Sequence, residues 1–241
     1  MRRLAPLLTV WLVAATVTAQ SGLSPKGPAS SGAPAGGVGA NAGGPVTAKA
    51  SAGYPEVQAL VDAYVEATGG AAAWSRLQGL ETNWAWSLDT QSGSLNAKAN
   101  TSGAFRSEMS MNGSEWRESQ GCNGTQAWVQ DAAGVCHVAS EVVRVQLQMQ
   151  YNPAAMMDLS SYAKAMTTSG KVTVAGRPMW RVILIPKEGR SMYLFFDEET
   201  KLLSRWEFTR PTTVAPMVIE RGYDDYRAVG DVMIPHTIRE R

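Results

Sequence analysis

From Gly79 to Ile238 the apolar residues recur mostly at every second position, in short runs separated by turn dipeptides. Trp84, Trp86 and Leu88 alternate with Ala85 and Ser87, and Phe105, Met109 and Met111 share one parity. Trp116 and Trp128 sit in similar runs, punctuated by Asn112-Gly113, Asn123-Gly124 and Ala133-Gly134. A period of two broken by such turns builds antiparallel hairpins, because alternate side chains then leave water on one face of a sheet. A second series follows: Lys171 to Val174, Met179 to Ile185, Met192 to Phe196, Leu202 to Phe208, Met217 to Tyr223 and Val232 to Ile238. Strands at such regular, short intervals predict a curved sheet or barrel.

Helical periods flank and divide these strands. Val57, Leu60, Val61, Tyr64 and Val65 form an i, i+3, i+4, i+7, i+8 stripe after Pro55, and Gly69-Gly70 ends it. A shorter piece from Ala71 to Leu77 brings Trp74 and Leu77 together. Between the two strand series, Ser140 is placed to cap a helix over Glu141 to Gln150. After the break at Asn152-Pro153, Met156, Leu159, Ala163 and Met166 predict a second helical stripe. The class is therefore α+β.

The front of the chain obeys other rules. Met1-Arg2-Arg3, an apolar run from Leu4 to Val17 and the small residues Val17-Thr18-Ala19 predict a secretory signal peptide over 1–19, too short to span a bilayer. Gln20 stands where a lipoprotein would carry its acylated cysteine, so a soluble, periplasmic mature chain is expected. Residues 20–52 are Gly, Ala, Ser and Pro with almost nothing to bury, a composition that predicts a disordered leader. Gly37-Val38-Gly39-Ala40-Asn41-Ala42 matches a dinucleotide fingerprint in letters only, with neither strand before it nor helix after it. Residues 53–241 then form one domain.

Chemistry is sparse in that domain. A formal net charge of +1 gives no footprint for nucleic acid, and no cofactor motif is present. His137 and His236, with two cysteines, do not assemble a zinc set, and no nucleophile elbow or metalloprotease helix occurs. In an exported protein Cys122 and Cys136 are expected to form a disulfide, closing a loop of about 15 residues worth about 3 kcal/mol; two free thiols are the alternative. Asp197-Glu198-Glu199 reads as a solvated turn. In Tyr223–Ile238, Asp224 and Asp225 are expected to accept local backbone bonds. Pro235 marks an edge, bulge or strand start, and His236 is a structural hydrogen-bonding residue. Eight Trp and eleven Met against four Phe supply bulky and flexible side chains suited to an adaptable cavity or to a core.

Four stretches carry a resemblance to a known family. These are "EATGGAAAWSRLQGLET" (Glu66–Thr82), "GCNGTQAWVQD" (Gly121–Asp131), "MYLFFDEETKLLSRWEF" (Met192–Phe208) and "ERGYDDYRAVGDVMIPHTI" (Glu220–Ile238). Together they resemble the LolA-like outer-membrane lipoprotein-sorting proteins. Phe196, Asp197, Glu199 and Thr200 match the family's turn, and Asp225, Tyr226, Arg227, Pro235 and His236 its acidic Tyr-Arg segment leading to Pro-His. The resemblance implies a strongly curved antiparallel sheet, an incomplete β-barrel covered by helices, whose apolar hollow receives lipid or lipoprotein acyl chains. Relatives often continue past the Pro-His strand, whereas this sequence stops at Arg241. Strand alternation and size nominate Trp84, Trp86, Met109, Met111, Trp128, Met192, Leu194, Phe196, Trp206 and Phe208 as ligand-binding residues, with the inward parity left open. The expected function is a non-enzymatic periplasmic carrier without a cofactor. The alternative is an envelope scaffold that docks protein partners through its sheet, and a hydrolase dependent on His236 is a third, weaker option.

Overall fold

The computed structural model describes residues 53–131, 133–211 and 215–241, together with the backbone of residues 10–20. The Gly/Ala/Ser/Pro-rich leader from Ser21 and residues 1–9 of the expected signal peptide lie outside the described residues.

Strand β1 (Val10–Gln20) is followed by helices α1 (Val57–Ala67) and α2 (Gly70–Arg76). Next come β2 (Gly79–Leu88), β3 (Gln91–Asn100), β4 (Ala104–Met111), β5 (Arg117–Asn123), β6 (Ala127–Gln130) and β7 (Cys136–Val138). Helix α3 (Glu141–Tyr151) and a 3-10 helix (Ala155–Ser161) then lead into β8 (Ala163–Val174), β9 (Arg177–Pro186) and β10 (Met192–Asp197). The last strands are β11 (Leu203–Arg210), β12 (Met217–Val229) and β13 (Val232–Glu240). All pairings are antiparallel, in the order β7-β6-β5-β4-β3-β2-β1-β13-β12-β11-β10-β9-β8. Two six-stranded meanders thus flank β1, and because β7 and β8 do not pair, the described sheet is open rather than a closed barrel. No helix among the described residues is long and apolar enough to cross a membrane.

The stripe predicted for α1 is the face it buries: Val57, Leu60, Val61, Tyr64 and Val65. They join Val145 and Met149 of α3, Leu159 of the 3-10 helix and Val182, Leu184, Leu194, Phe196, Trp206 and Ile234 of the second meander in one core. Each such side chain contributes about 1.5–3 kcal/mol on leaving water. The α1–α2 corner is fastened to the β12–β13 hairpin. The buried Thr68 hydroxyl donates to the Tyr64 carbonyl at 2.8 Å and accepts from Trp74 Nε1 at 2.9 Å, while the Thr68 carbonyl accepts from the Met233 amide at 3.0 Å. Gly69 is left-handed, with φ +119°, and a Cβ there would lie 2.3 Å from the Asp231 carbonyl oxygen, so only glycine fits.

Ser140 caps α3 as expected, its hydroxyl accepting from the Val143 amide at 3.4 Å. The helical stripe expected from Met156 to Met166 is interrupted instead. Asp158 leaves helical dihedrals, the hydroxyls of Ser160 and Ser161 bond its carboxylate and carbonyl, and from Ala163 the chain is β8. Local side-chain bonds of this kind compete with the helical ladder, and Thr167-Thr168 favours the strand. Strand β12 runs six residues beyond the expected end at Tyr223. Within it Asp225 has φ +54°, and the ladder skips the position it shares with His236 while the register stays unbroken, Asp224 pairing with Thr237 and Tyr226 with Pro235. Pro235 lies in the part of β13 that pairs with β12 alone, as an edge position does, and His236 Nδ1 is 3.0 Å from the Ile234 carbonyl.

Two expectations are corrected. Cys122 and Cys136 are free, the first buried and the second exposed. Cys122 pairs with Ala127 at one end of β6 and Cys136 with Gln130 at the other. Two strand spacings and three residues of rise put them about 14 Å apart, beyond any disulfide. Asp197 is not a solvated turn residue either, with 2% of its surface exposed. Its Oδ1 accepts from the Glu199 amide at 3.0 Å and from the Thr200 amide and hydroxyl at 2.8 and 3.0 Å, while Arg177 lies 2.6 Å from Oδ2.

Burial alone would push the Asp197 carboxyl up, but the Thr200 amide and hydroxyl, Arg177 and the Glu199 amide hold it below the usual carboxylate range. A depressed folded pKa gives stability that is complete above the unfolded value of about 3.9 and is lost as pH falls through the folded one. Asp197→Ala is therefore expected to cost about 2 kcal/mol in denaturant unfolding near neutral pH, and the gap to the parent protein should shrink below about pH 4.

Candidate functional site

The two meanders and α3 enclose a cavity of about 570 Å³. The first meander gives it Trp84 from β2, Leu95, Ala97 and Ala99 from β3, Met109 from β4 and Gln120 from β5. Leu203, Phe208 and Arg210 of β11, Arg221, Tyr223 and Tyr226 of β12, and Ile234, Ile238 and Glu240 of β13 form the opposite wall. Tyr64 and Trp74 reach it from α1 and α2, and Leu147, Met149 and Gln150 from α3.

Two strand irregularities decide which side chains face this space. On β12, Arg221 and Tyr223 share a parity, and past Asp225, whose φ is +54°, Tyr226 lines the space as well although the register with β13 is unbroken. On β11 the register slips between the Phe196↔Leu203 and Phe195↔Arg205 pairs, which puts Leu203 on the side of Phe208 and Arg210. Arg205 goes to the other face, where it meets Glu207 and Glu220 at 3.3 and 2.9 Å.

Helix α3 bridges the meanders through amide side chains that are themselves buried. Gln146 donates to the Thr209 carbonyl of β11 at 2.6 Å, and Gln148 to the Gly124 carbonyl after β5 at 2.9 Å. One turn of helix thus holds both sides of the cavity.

One patch of the wall is charged. Arg221 is buried, donates from Nε to Glu240 at 2.6 Å and lies over the rings of Trp206 and Phe208, 5.6 and 5.7 Å from their centroids. Arg210 stands 3.7 Å from the same carboxylate. Burial works against both charges, raising Glu240 and lowering Arg221, but each partner reverses that: Glu240 ends below the ordinary carboxylate range and Arg221 above the usual guanidinium value. The cavity tyrosines Tyr64, Tyr151, Tyr223 and Tyr226 are all pushed up by burial and stay protonated as hydrogen-bonding groups. Tyr226 donates to the Leu203 carbonyl at 2.8 Å, and the Tyr151 hydroxyl accepts from Gln120 at 2.9 Å. The wall can therefore enclose an apolar body and meet one polar group.

Of the residues nominated from sequence, Trp84, Met109 and Phe208 line the cavity. Trp86 packs in the cluster with Trp84 and Leu95, its Nε1 donating to the Ser110 carbonyl at 2.9 Å, and Met111 is partly buried against the same cluster. Trp128 lies across Gly121 beneath Arg106. Met192, Leu194, Phe196 and Trp206 are in the closed core with α1. Arg221, Tyr223, Tyr226, Ile238 and Glu240 were not nominated. The i, i+2 spacing of Arg221 and Tyr223 is the available signal, whereas Tyr226 breaks that alternation past the left-handed Asp225. Neither histidine lines the cavity: His137 is near Asp131, at 3.6 Å, on the exposed edge strand. No group of His, Cys, Asp and Glu is placed to hold a metal among the described residues.

No family model and no curated protein sequence matches the chain. Among solved structures it is similar to a LolA superfamily protein from Nitrosomonas europaea, at 10% identity and a TM-score of 0.48, over 76% of this chain and 89% of that one. A DUF1329 family protein from Desulfovibrio piger gives 12% identity and a TM-score of 0.44 over the same shares. A domain assigned to outer membrane lipoprotein sorting in Vibrio parahaemolyticus gives 12% and 0.38, over 64% of this chain and 75% of that one. The likeness is one of fold and transfers no residue role.

The buried ion pair has a measurable consequence. Glu240→Ala leaves Arg221 charged and unpaired and is expected to cost about 3–5 kcal/mol in equilibrium unfolding, whereas replacing both, Arg221→Met with Glu240→Leu, should cost far less.

Proposed function

We propose that this chain is a non-enzymatic periplasmic binding protein that carries a lipid, a lipoprotein acyl chain or another long apolar ligand between its two meanders, the sheet acting as a half-barrel beneath a helical cover. The observation that carries this reading is an unfilled space of about 570 Å³ bounded by Trp84, Leu95, Ala97, Met109, Met149 and Phe208. Ligand pockets generally occupy about 300–1,000 Å³, and closed cores leave few voids larger than a water molecule. Ten buried methylenes contribute about 8 kcal/mol, a micromolar affinity before ordering costs, which lets a carrier both hold and release its load. Methionine and tryptophan in the wall conform to chains of different shape. The alternative, an envelope scaffold that docks proteins without lipid, draws support from β7, an edge strand that ends in Val138 with 69% of its surface exposed.

Native mass spectrometry of protein purified from its own compartment is expected to show a co-purifying acyl species. Ala97→Trp, which places an indole in the void, should abolish that species and leave the melting temperature unchanged or higher. A stable protein partner with no lipid in either sample would favour the scaffold.

A further inference from the structure

The seam between the two meanders is a second feature of this fold, adjoining the cavity wall at Trp84 and Ile238. Strand β1 lies in it, antiparallel to both neighbours: Trp11, Leu12 and Val13 pair with Ser87, Trp86 and Ala85 of β2 on one side and with Arg239, Ile238 and Thr237 of β13 on the other. From Ala14 to Gln20 the segment pairs with β2 alone, because lower on β13 the Met233 amide is engaged by the Thr68 carbonyl. The edges are held at that lower end by contacts that involve no residue of β1: Thr68 to Met233, Gly69 against Asp231, and Arg76 to Asp231 at 2.8 Å. Helix α2 runs from this corner into β2 within two residues.

Yet the residues that fill the seam, all but Gln20, belong to the segment 1–19 whose composition predicts removal on export. Without it, β2 and β13 face each other as parallel edges two strand spacings apart, about 9.6 Å, with unpaired amides and carbonyls on both.

We propose that this seam is a strand-acceptor site: once the leader is removed, it takes an extended segment of an envelope partner protein, antiparallel to β2 and β13 and apolar at alternate positions. The pairing of Val10–Gln20 shows that the slot admits a strand in register with both edges. The apolar requirement follows from the face on which Trp84, Trp86 and Ile238 cluster beside the slot. A second folded copy does not fit, since a slot closed on both sides admits only a segment with no strand neighbour of its own, whereas an edge strand such as β7 or β8 already has one.

The test uses the exported, processed protein, with loss of residues 1–19 checked by intact mass, and a labelled synthetic peptide of the 11 residues Val10–Gln20 carrying a solubilising lysine tail as the probe. Saturable binding is expected, with new hydrogen-exchange protection at Ala85–Ser87 and Thr237–Glu240. Proline in place of Leu12 in the peptide removes a ladder donor and should weaken binding about tenfold or more. Three results would overturn the proposal: those amides already protected before peptide is added, a processed chain that retains Val10–Gln20, or peptide protection at β7 or β8 instead.

Discussion

Strand phase is the constraint on which the rest of this structure depends. An antiparallel meander buries every second side chain, so a shift of one residue exchanges its entire inner and outer faces. Here the register shifts at defined places: twice in β8, at Ala163–Ala165 and Thr168–Gly170, and once in β11. The shift in β11 keeps Leu203 on the inner face with Phe208 and Arg210, where strict alternation would have turned it to the other side. Tyr226 reaches the cavity without a register shift, past the left-handed Asp225, and its hydroxyl donates to the Leu203 carbonyl.

The halves of the sheet use that inner face differently. In the second meander Val182, Leu184, Met192, Leu194 and Phe196 share one buried core with α1. In the first, Leu95, Ala97 and Ala99 on β3 are small or stand apart from α3, and the space between them and β11–β13 stays open. Helix α3 cannot descend into it, because Gln146 and Gln148 anchor it to backbone carbonyls on both sides. A helix seated on polar bonds at fixed points holds a volume that a helix packed only by apolar contact would tend to collapse.

Much of this was legible in sequence, and the failures share a physical origin. The stripe of α1, the Ser140 cap and span of α3, the turn glycines and the runs of the two strand series follow from local period and turn chemistry. What local pattern does not encode is which side chain a neighbouring strand brings near. Asp197 reads as one acid in a run of three, yet the fold takes it alone out of water and satisfies it with the Thr200 and Glu199 amides and Arg177. The cysteines read as a pair because they flank strand-like segments of a chain expected to be exported, but β6 stands between them and separates their registers. The nominated cavity residues rest on strand alternation and size; Trp84 lines the cavity, but the equally large Trp206 is in the core with α1, and small residues such as Ala97 line the cavity too. Volume left over is a property of facing surfaces, and no single strand carries it.

The buried charges belong to the same logic. Arg221 and Glu240 lie on adjacent strands, cross-paired in β12 and β13, and their position at the cavity wall sets the cost of leaving either alone. An apolar pair in their place would have packed at least as well, so stability does not explain their presence. Stacked over Trp206 and Phe208 and flanked by Arg210, the guanidinium gives the wall a fixed charged patch beside its apolar lining. A ligand in this space is thereby given a direction: its apolar body lies along Leu95, Ala97 and Met109, and any polar end is best placed toward Arg221, Glu240 and Tyr223.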